Sequence, residues 1–248
     1  MPIKTKYSYG RYHEDDYIYF VKGKKVVLVG PSETLIGSNQ GNYIDSFDII
    51  VRLNLSCPVP QILYEDIGSR TDVLYHVLIR TLHIKKASHM FKYYNKKDVT
   101  AWKEDGVKWV VSKTDAHTMR VKTFAPVING VIPWITIPLS KLRGINTEVG
   151  CAPNLGVITI NHLLQNGVKD LYVTGCDFHM SGYYEGYGGF NKQQAKLGIG
   201  APGCWGQSNS KERIHALEPQ LQYLNKLLKS DKRFKPDQIL LNLIKEVG

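Results

Sequence analysis

Short apolar runs separated by glycines and polar turns recur along most of this chain. The six runs are Val26–Val29, Ile49–Leu53, Val73–Tyr75, Trp109–Val111, Val131–Ile137 and Leu171–Thr174. Their content of valine and isoleucine is typical of strands that are buried on both faces of a parallel sheet. Helical patterns are predicted over Leu82–Asn95, Pro153–Gln165 and Lys211–Leu228. This alternation predicts an α/β fold with a Rossmann-like, doubly wound and mostly parallel sheet.

The first two runs enclose the most informative stretch of the chain, residues 25–54. Val26–Val29 stops at Gly30, Pro31 and Ser32 form a turn, and a short helix precedes the second run, which ends at Asn54. A buried strand that ends in a glycine turn is a common way for a parallel sheet to present backbone N–H groups to a nucleotide. We therefore expect a nucleotide site at this turn.

Residues 179–210 differ from the rest of the chain because they show no regular period. They are rich in glycine, tyrosine, glutamine and serine. A loop of this length inside a compact domain is often a functional lid, and a disordered insertion is the alternative. Nothing else marks a boundary, so residues 1–248 are predicted to form a single domain with a flexible lid loop over 179–210.

The charge balance narrows the class of partner. The chain has 32 basic and 22 acidic residues, a formal net charge of +10. This surplus favours phosphates, sugar nucleotides, acidic glycans, membrane surfaces or nucleic acid as partners. The basic stretches Lys85–Lys97 and Lys226–Lys235 are typical of solvated helix faces.

Cysteines, apolar segments and histidines add little chemistry. The four cysteines have no C-x-x-C spacing and are expected to be reduced buried thiols. No apolar run reaches the roughly 18 residues of a membrane span, and the first residues lack the apolar core of a signal peptide. A cytoplasmic location is therefore predicted. His162 lies in an apolar helical pattern and is predicted to be a hydrogen-bonded core residue.

Residues 26–54 resemble the large donor-binding motif of the sialyltransferase family. The matching residues are Gly30, Ser32, Leu35, Ser38, Gly41, Ile44, Asp45, Asp48, Arg52 and Asn54. Residues 67–71 resemble the Val-Gly-Ser-Lys/Arg-Thr stretch that closes this motif. The family's asparagine after the first glycine is Pro31 here, as in the Gly-Pro-Ser loop of bacterial sialyltransferases. The resemblance implies donor contacts from Gly30, Pro31, Ser32, Asn54 and Ser69. For Asn54, an Asx turn at the strand end is the alternative.

A second stretch resembles the family's small motif. Residues 151–156 open a helix, and residues 171–179 form a strand that ends in Gly-Cys-Asp-Phe-His, similar to the Gly-Ile-Asp-Phe of the bacterial enzymes. The free N–H groups at a helix start attract a carboxylate or a phosphate. The resemblance implies donor contacts from Asn154, Leu155, Gly156, Thr174, Gly175, Cys176 and Asp177.

Two shorter stretches resemble the family's remaining motifs. Residues 182–185 resemble His-Tyr-Tyr-Glu, with Gly182 in place of the histidine, which implies that Tyr184, with the nearby His179, contacts the leaving phosphate. Aromatic packing within the lid is the alternative. Residues 213–218 imply that His215 is the general base and Glu218 its companion. The bacterial pattern instead aligns Gln207 with the base, which would leave the base missing or elsewhere.

The resemblance implies a sialyltransferase-like glycosyltransferase. Its reaction would be the inverting transfer of a nonulosonic acid, sialic acid first, from a CMP-sugar to the hydroxyl of a glycan or glycolipid. The sequence has no Asp-x-Asp metal motif, so a metal-independent reaction without a cofactor is expected. Peripheral association with a membrane is compatible with the charge, and nucleic acid is not expected as a partner.

Two other classes of function compete with transfer. Pro31, Gly182 and Gln207 support a catalytically impaired nucleotide- or nucleic-acid-binding protein on the same fold. A dinucleotide oxidoreductase is the weaker alternative, since no G-x-G-x-x-G follows the first strand.

Overall fold

The computed structural model describes residues 12–78, 80–84, 88–92, 94–114, 118–178, 180–187 and 216–247. Nine strands lie in these ranges: β1 (Lys25–Val29), β2 (Ile49–Leu53), β3 (Val73–His76), β4 (Arg80–Ile84), β5 (Ser88–Lys92), β6 (Trp109–Ser112), β7 (Trp134–Thr136), β8 (Asp170–Thr174) and β9 (Phe234–Pro236). Seven of them form one sheet in the order β7-β6-β3-β2-β1-β8-β9. Every neighbouring pair in it is parallel.

Helices cover both faces of this sheet. They are α1 (Glu14–Val21), α2 (Gly41–Asp45), α3 (Tyr64–Ile67), α4 (Lys96–Glu104), α5 (Met119–Ile128), α6 (Leu139–Val149), α7 (Leu155–Gln165), α8 (Leu217–Ser230) and α9 (Gln238–Lys245). Alternate strand residues such as Val26 and Leu28 pack with α1, α6, α7, α8 and α9. Their neighbours Val27 and Val29 face α2 and α3, and Leu74 and Val110 face α4 and α5 on that same side. Burial on both faces explains why the strands are continuous apolar runs.

The order of the strands creates one switch point. From β1 the chain moves outward through β2, β3 and β6 to β7, and then crosses back to place β8 on the other side of β1. The two strands run in register, with Val29 beside Thr174. In open α/β sheets, ligands bind outside the carboxyl ends of the strands at such a point. The fold therefore directs attention to the loops that follow β1 and β8.

The predicted α/β architecture is confirmed, and all six predicted strands are present. Of the predicted helices, Pro153–Gln165 is shortened to α7 because Asn154 caps its start. The helix predicted over Lys211–Leu228 is observed as α8, which begins at Leu217 after its N-cap residue Ala216. Residues 211–215 lie outside the described residues. The helix predicted over Leu82–Asn95 is wrong: β4 and β5 form an antiparallel ribbon there.

The prediction for His162 is confirmed. The ring is buried, and its Nδ1 lies 2.8 Å from the hydroxyl of Tyr75, which in turn lies 2.9 Å from the hydroxyl of Tyr17. Its Nε2 faces the carboxylate of Glu14 at 3.3 Å. This buried polar network joins α1, β3 and α7.

The cysteines that the structure describes are free thiols. Cys57, Cys151 and Cys176 are free, and Cys204 lies outside the described residues. In the described part of the chain, no helix has both the length and the apolar character that crossing a membrane requires.

Candidate functional site

The loops that follow β1 and β8 are joined by their backbones. The N–H of Gly30 donates to the carbonyl of Thr174 at 2.8 Å, and the N–H of Ser32 donates to the carbonyl of Gly175 at 3.1 Å. A Cβ atom on Gly30 would lie 2.1 Å from the Gly175 oxygen, so only glycine permits this approach. The structure thus brings together the two loops that the large and small motifs predict to meet.

The loop after β1 differs from expectation in how it uses its donors. The N–H groups of Gly30 and Ser32 are already bonded within the protein, so they are not presented to a ligand. The hydroxyl of Ser32 is buried and accepts from the N–H of Thr34, which caps a short 3₁₀ helix. The carbonyl of Pro31 accepts from the N–H of Tyr184. Residues 30–32 therefore act mainly as a scaffold here.

Asp237 fixes the end of β8. Its Oδ2 accepts from the hydroxyl of Thr174 at 2.9 Å and from the N–H of Gly175 at 3.0 Å, while its Oδ1 caps α9. Asp177 is buried and accepts from the N–H of Ser181. Sequence reasoning missed Asp237, although an aspartate before an apolar run is a helix N-cap signal.

The start of α7 lies against the ends of β2 and β8. The Oδ1 of Asn154 accepts from the N–H of Val157 at 2.9 Å, which caps the helix. A Cβ atom on Gly156 would lie 3.8 Å from Leu53 and 4.0 Å from the sulfur of Cys176. The first turn of α7, including the buried Leu155, thus lies next to the switch point, as the small motif implies.

Asn54 joins the end of β2 to the end of β3. It has a left-handed backbone with φ of 50°, its N–H donates to the carbonyl of Tyr75, and its Oδ1 accepts from the N–H of Val77 at 3.2 Å. The phenol of Tyr187 also hydrogen-bonds to this side chain. Asn54 lies at the edge where the sugar-nucleotide donor is expected to bind. Its side chain already makes hydrogen bonds within the protein there.

Ser69 is not brought to this edge. Its hydroxyl donates to Asp45 Oδ2 at 2.8 Å, and its N–H donates to the same carboxylate at 2.9 Å. Ser69 precedes β3 and Asp45 precedes β2, so both residues lie at the amino end of the sheet. The fully buried Arg52 closes the same segment, because its Nη2 donates to the carbonyls of Ile67 and Gly68. Hydrogen bonds therefore join the two parts of the large motif, residues 26–54 and residues 67–71.

Tyr184 is a buried residue that packs against the loops that follow β1 and β2. It is 1% exposed, and burial raises the pKa of its hydroxyl, an effect that the guanidinium of Arg52 partly offsets. Its neighbour Tyr183 forms a bridge with Ser32. Residues 182–187 of the predicted lid thus pack against the loop after β1, in line with the aromatic packing that was the alternative for this stretch.

The remaining residues that the sequence predicts to be catalytic are His179, His215 and Glu218. His179 and His215 lie outside the described residues. Glu218 is exposed in the first turn of α8, where it accepts from the side chain of Gln222. The carbonyl of Ala216 accepts from Gln220 Nε2 at 2.8 Å, while Gln220 Oε1 accepts from the N–H of Asn154 at 2.8 Å. Gln220, which sequence reasoning missed, therefore links Ala216 to the start of α7.

Lys113 is a second residue that sequence reasoning missed. It follows β6 directly, and its Nζ lies 3.5 Å from the carbonyl of Pro153, next to the cap of α7. Burial, together with the positive charge of Arg120, lowers the pKa of Lys113 to about 8. Its position at the end of a predicted strand was the only signal in the sequence.

The described residues contain no group of three histidine, cysteine, aspartate or glutamate side chains that could hold a metal ion.

Comparison with known proteins agrees with this picture. Residues 21–129 match the family model described as glycosyltransferase family 29 (sialyltransferase), whereas no curated protein sequence matches the chain. The sialyltransferase CstII from Campylobacter jejuni, in complex with the substrate analogue CMP-3FNeuAc, is a similar solved structure. It is 18% identical with a TM-score of 0.54, over 89% of this chain and 85% of that one.

Two further solved structures are similar. A variant of CST-II in complex with CMP is 19% identical with a TM-score of 0.52, over 89% of this chain and 85% of that one. A mammalian sialyltransferase in complex with a Gal-beta-1-3GalNAc derivative is 15% identical with a TM-score of 0.49, over 88% of this chain and 71% of that one. The two structures with the higher scores support the fold.

Proposed function

We propose that this chain is a sialyltransferase-like glycosyltransferase, which transfers a nonulosonic acid from a CMP-sugar to a glycan hydroxyl with inversion. The match of residues 21–129 to the sialyltransferase family model supports this proposal. Sialic acid is the first choice of sugar. The observation that carries the proposal is the junction of β1 and β8, where both motif loops meet beside the start of α7. This is the position at which α/β sheets of this kind bind nucleotides.

The first turn of α7 supplies the chemistry that the donor needs. The N–H groups of Leu155 and Gly156 precede the hydrogen-bonded part of the helix, where the helix dipole favours negative charge. They would bind the phosphate or the carboxylate of the donor. Cys176 and Asp177 would lie beside the cytosine ring of the donor, and Asn54 would face its ribose or phosphate.

The base in this proposal is His215. A neutral imidazole with a pKa near 6.5 suits removal of a proton from a hydroxyl near neutral pH. Ala216, the next residue, is tied through Gln220 to the start of α7, and this contact supports a base close to the donor. The departing CMP phosphate would be stabilised by hydrogen-bond donors, without a metal or a cofactor.

Nucleotide binding is the first test. We expect CMP to raise the melting temperature, because a ligand at 100 times its Kd stabilises the folded state by about 2.7 kcal/mol. CDP, UDP and NAD at equal concentration are the controls. A shift with NAD alone would favour an oxidoreductase, and no shift with any nucleotide would contradict the proposed donor.

Turnover with CMP-sialic acid and a panel of acceptor sugars tests the base. His215→Asn should lower kcat by at least ~100-fold while leaving the Kd for CMP unchanged. His13→Asn is the matched control, because His13 is exposed at the start of α1. Turnover of the His215 variant at the control's rate would refute the base. Binding of CMP without any turnover of the wild-type protein would favour the catalytically impaired alternative.

A further inference from the structure

Lys113 is a partly buried cation at the carboxyl edge of the sheet. Its Nζ donates to the carbonyl of Pro153 at 3.5 Å. Within the ranges that the structure describes, no carboxylate lies within ion-pair distance of this nitrogen. The ammonium therefore has donor capacity that the described part of the protein does not use.

The surroundings of this ammonium increase the cost of its burial. Removing a charge from water is costly unless an opposite charge or several hydrogen bonds compensate for it. Arg120, in the first turn of α5, adds positive charge and no compensation. Both effects lower the pKa of Lys113, to about 8. A cation that is buried without a matching charge is a candidate for a functional site, and a bound anion would supply the missing charge.

The position of Lys113 connects it to the candidate site on two sides. Pro153, its partner, immediately precedes Asn154, the cap of α7. Thr114, the next residue, donates its hydroxyl to the carbonyl of Val77, and the N–H of Val77 donates to Asn54. The end of β6 is thus tied to the same edge that holds Asn54 and the first turn of α7.

We propose that Lys113 binds an anionic group of the sugar-nucleotide substrate, either its phosphate or its carboxylate. This inference rests on the proposed function and adds a specificity-determining residue to it. An ammonium is a compact point charge that suits either anion. The pair of cations at Lys113 and Arg120 would favour an acidic donor over a neutral one.

The test compares Lys113→Met with the wild type by titration calorimetry. The probes are cytidine, CMP and CMP-3FNeuAc, which carry no anionic group, a phosphate, and a phosphate plus a carboxylate. Loss of a charge-assisted hydrogen bond should weaken binding about 10- to 100-fold. Weaker binding of CMP and of the analogue assigns Lys113 to the phosphate. Weaker binding of the analogue alone assigns it to the carboxylate.

Two further variants make the result specific. Lys122→Met removes an exposed charge from the same helix as Arg120 and should change each Kd by less than about 3-fold. Lys113→Arg keeps the charge and should recover most of the affinity. If Lys113→Met binds CMP and the analogue as the Lys122 control does, the inference is wrong.

Stability separates a binding lysine from a structural one. Methionine has a similar length and no charge to desolvate, so Lys113→Met should melt at or above the wild-type temperature. A lower melting temperature with unchanged affinities would show a structural lysine and overturn the inference.

Inorganic pyrophosphate separates this inference from the proposed function. If the wild type binds pyrophosphate but no nucleotide, and Lys113→Met binds neither, the anion site stands and the proposed donor falls. If the wild type and Lys113→Met bind CMP with the same affinity, and also bind the analogue with the same affinity, only the inference falls. If no anion binds to the wild type, both fall.

Discussion

Single residues of the large motif hold backbone segments together at very short range. A Cβ atom on Gly41 would lie 1.9 Å from the carbonyl oxygen of Tyr64, just as one on Gly30 would collide with Gly175. Asp45 holds Ser69 through its carboxylate, and Arg52 reaches three carbonyls of the same segment. At this scale the motif describes how the loops are built as much as what they bind.

Gly30→Ala tests the close approach of the two loops. Because the new methyl group would have to displace the backbone of Gly175, we expect a loss of at least ~3 kcal/mol in the free energy of unfolding. Gly144→Ala is the matched control: it lies in α6 with open space around it, so alanine should stabilise by up to about 1 kcal/mol. Urea unfolding measures both, and equal effects of the two substitutions would contradict the collision.

Residue types and spacing predict where chemistry gathers but not which partner a side chain chooses. The sequence correctly brings Gly30, Gly175 and Gly156 to one edge, because each follows or precedes a recognisable element. It could not reveal that Ser69 bonds to Asp45, since that pairing depends on how α2 and α3 pack. Asp237 is equally hidden, because its partner Thr174 is distant in the chain.

At the scale of elements, α7 and α8 meet at the candidate site. Gln220 is 1% exposed and bonds both to the N–H of Asn154 and to the carbonyl of Ala216. One amide side chain thus sets the position of the start of α7 relative to the start of α8. Any movement between these helices would change the distance between the start of α7 and the start of α8.

Gln220→Leu is expected to separate these two helix starts. It leaves two partly buried backbone groups, the N–H of Asn154 and the carbonyl of Ala216, without this partner. The free energy of unfolding should therefore fall by roughly 2 kcal/mol, and kcat should fall as well. Gln222→Leu is the control, because Gln222 is exposed and bonds only to Glu218 among the described residues. Chemical unfolding and turnover measure the effects. An unchanged kcat in a destabilised Gln220 variant would show that the link is structural only.

Elements were predictable where burial on both faces leaves a continuous apolar run. The strands β1, β2 and β8 are of this kind, and their bounds agree with prediction within one residue. The segment from Leu82 to Asn95 was misassigned because its apolar residues are few and mixed with lysines and histidines, so its periodicity does not separate helix from strand. A two-stranded ribbon outside the main sheet has no apolar run to reveal it.

At the scale of the whole molecule, two buried histidines hold the sheet to its helical layers in the neutral form. His162 joins α1 to α7 as described above, and burial lowers its pKa. His76 is fully buried: its Nδ1 accepts from the N–H of Leu78 at 2.7 Å, so its Nε2 carries the proton and donates to the oxygen of Tyr94 at 2.9 Å. Burial lowers the pKa of His76 to about 3.

Global stability should therefore fall in mild acid. A histidine whose folded pKa is below its unfolded value of about 6.5 contributes fully above that pH and loses its contribution as the pH falls toward the folded pKa. Between pH 7 and 5, His76 alone should cost about 2 kcal/mol. Urea unfolding at both values measures this loss. His76→Gln should show a smaller loss, whereas the exposed His13→Asn should keep the wild-type dependence; an equal loss in all three would contradict the assignment.

The place of β8 beside β1 has a consequence for how the protein is made. Val26 pairs with Leu171, so β1 keeps one edge open until the ribosome has synthesised most of the chain. Residues 21–129, which match the family model, emerge without the strand that closes that edge. A nascent chain paused before β8 would expose an apolar template for association, and it would depend on chaperones until the late strand arrives.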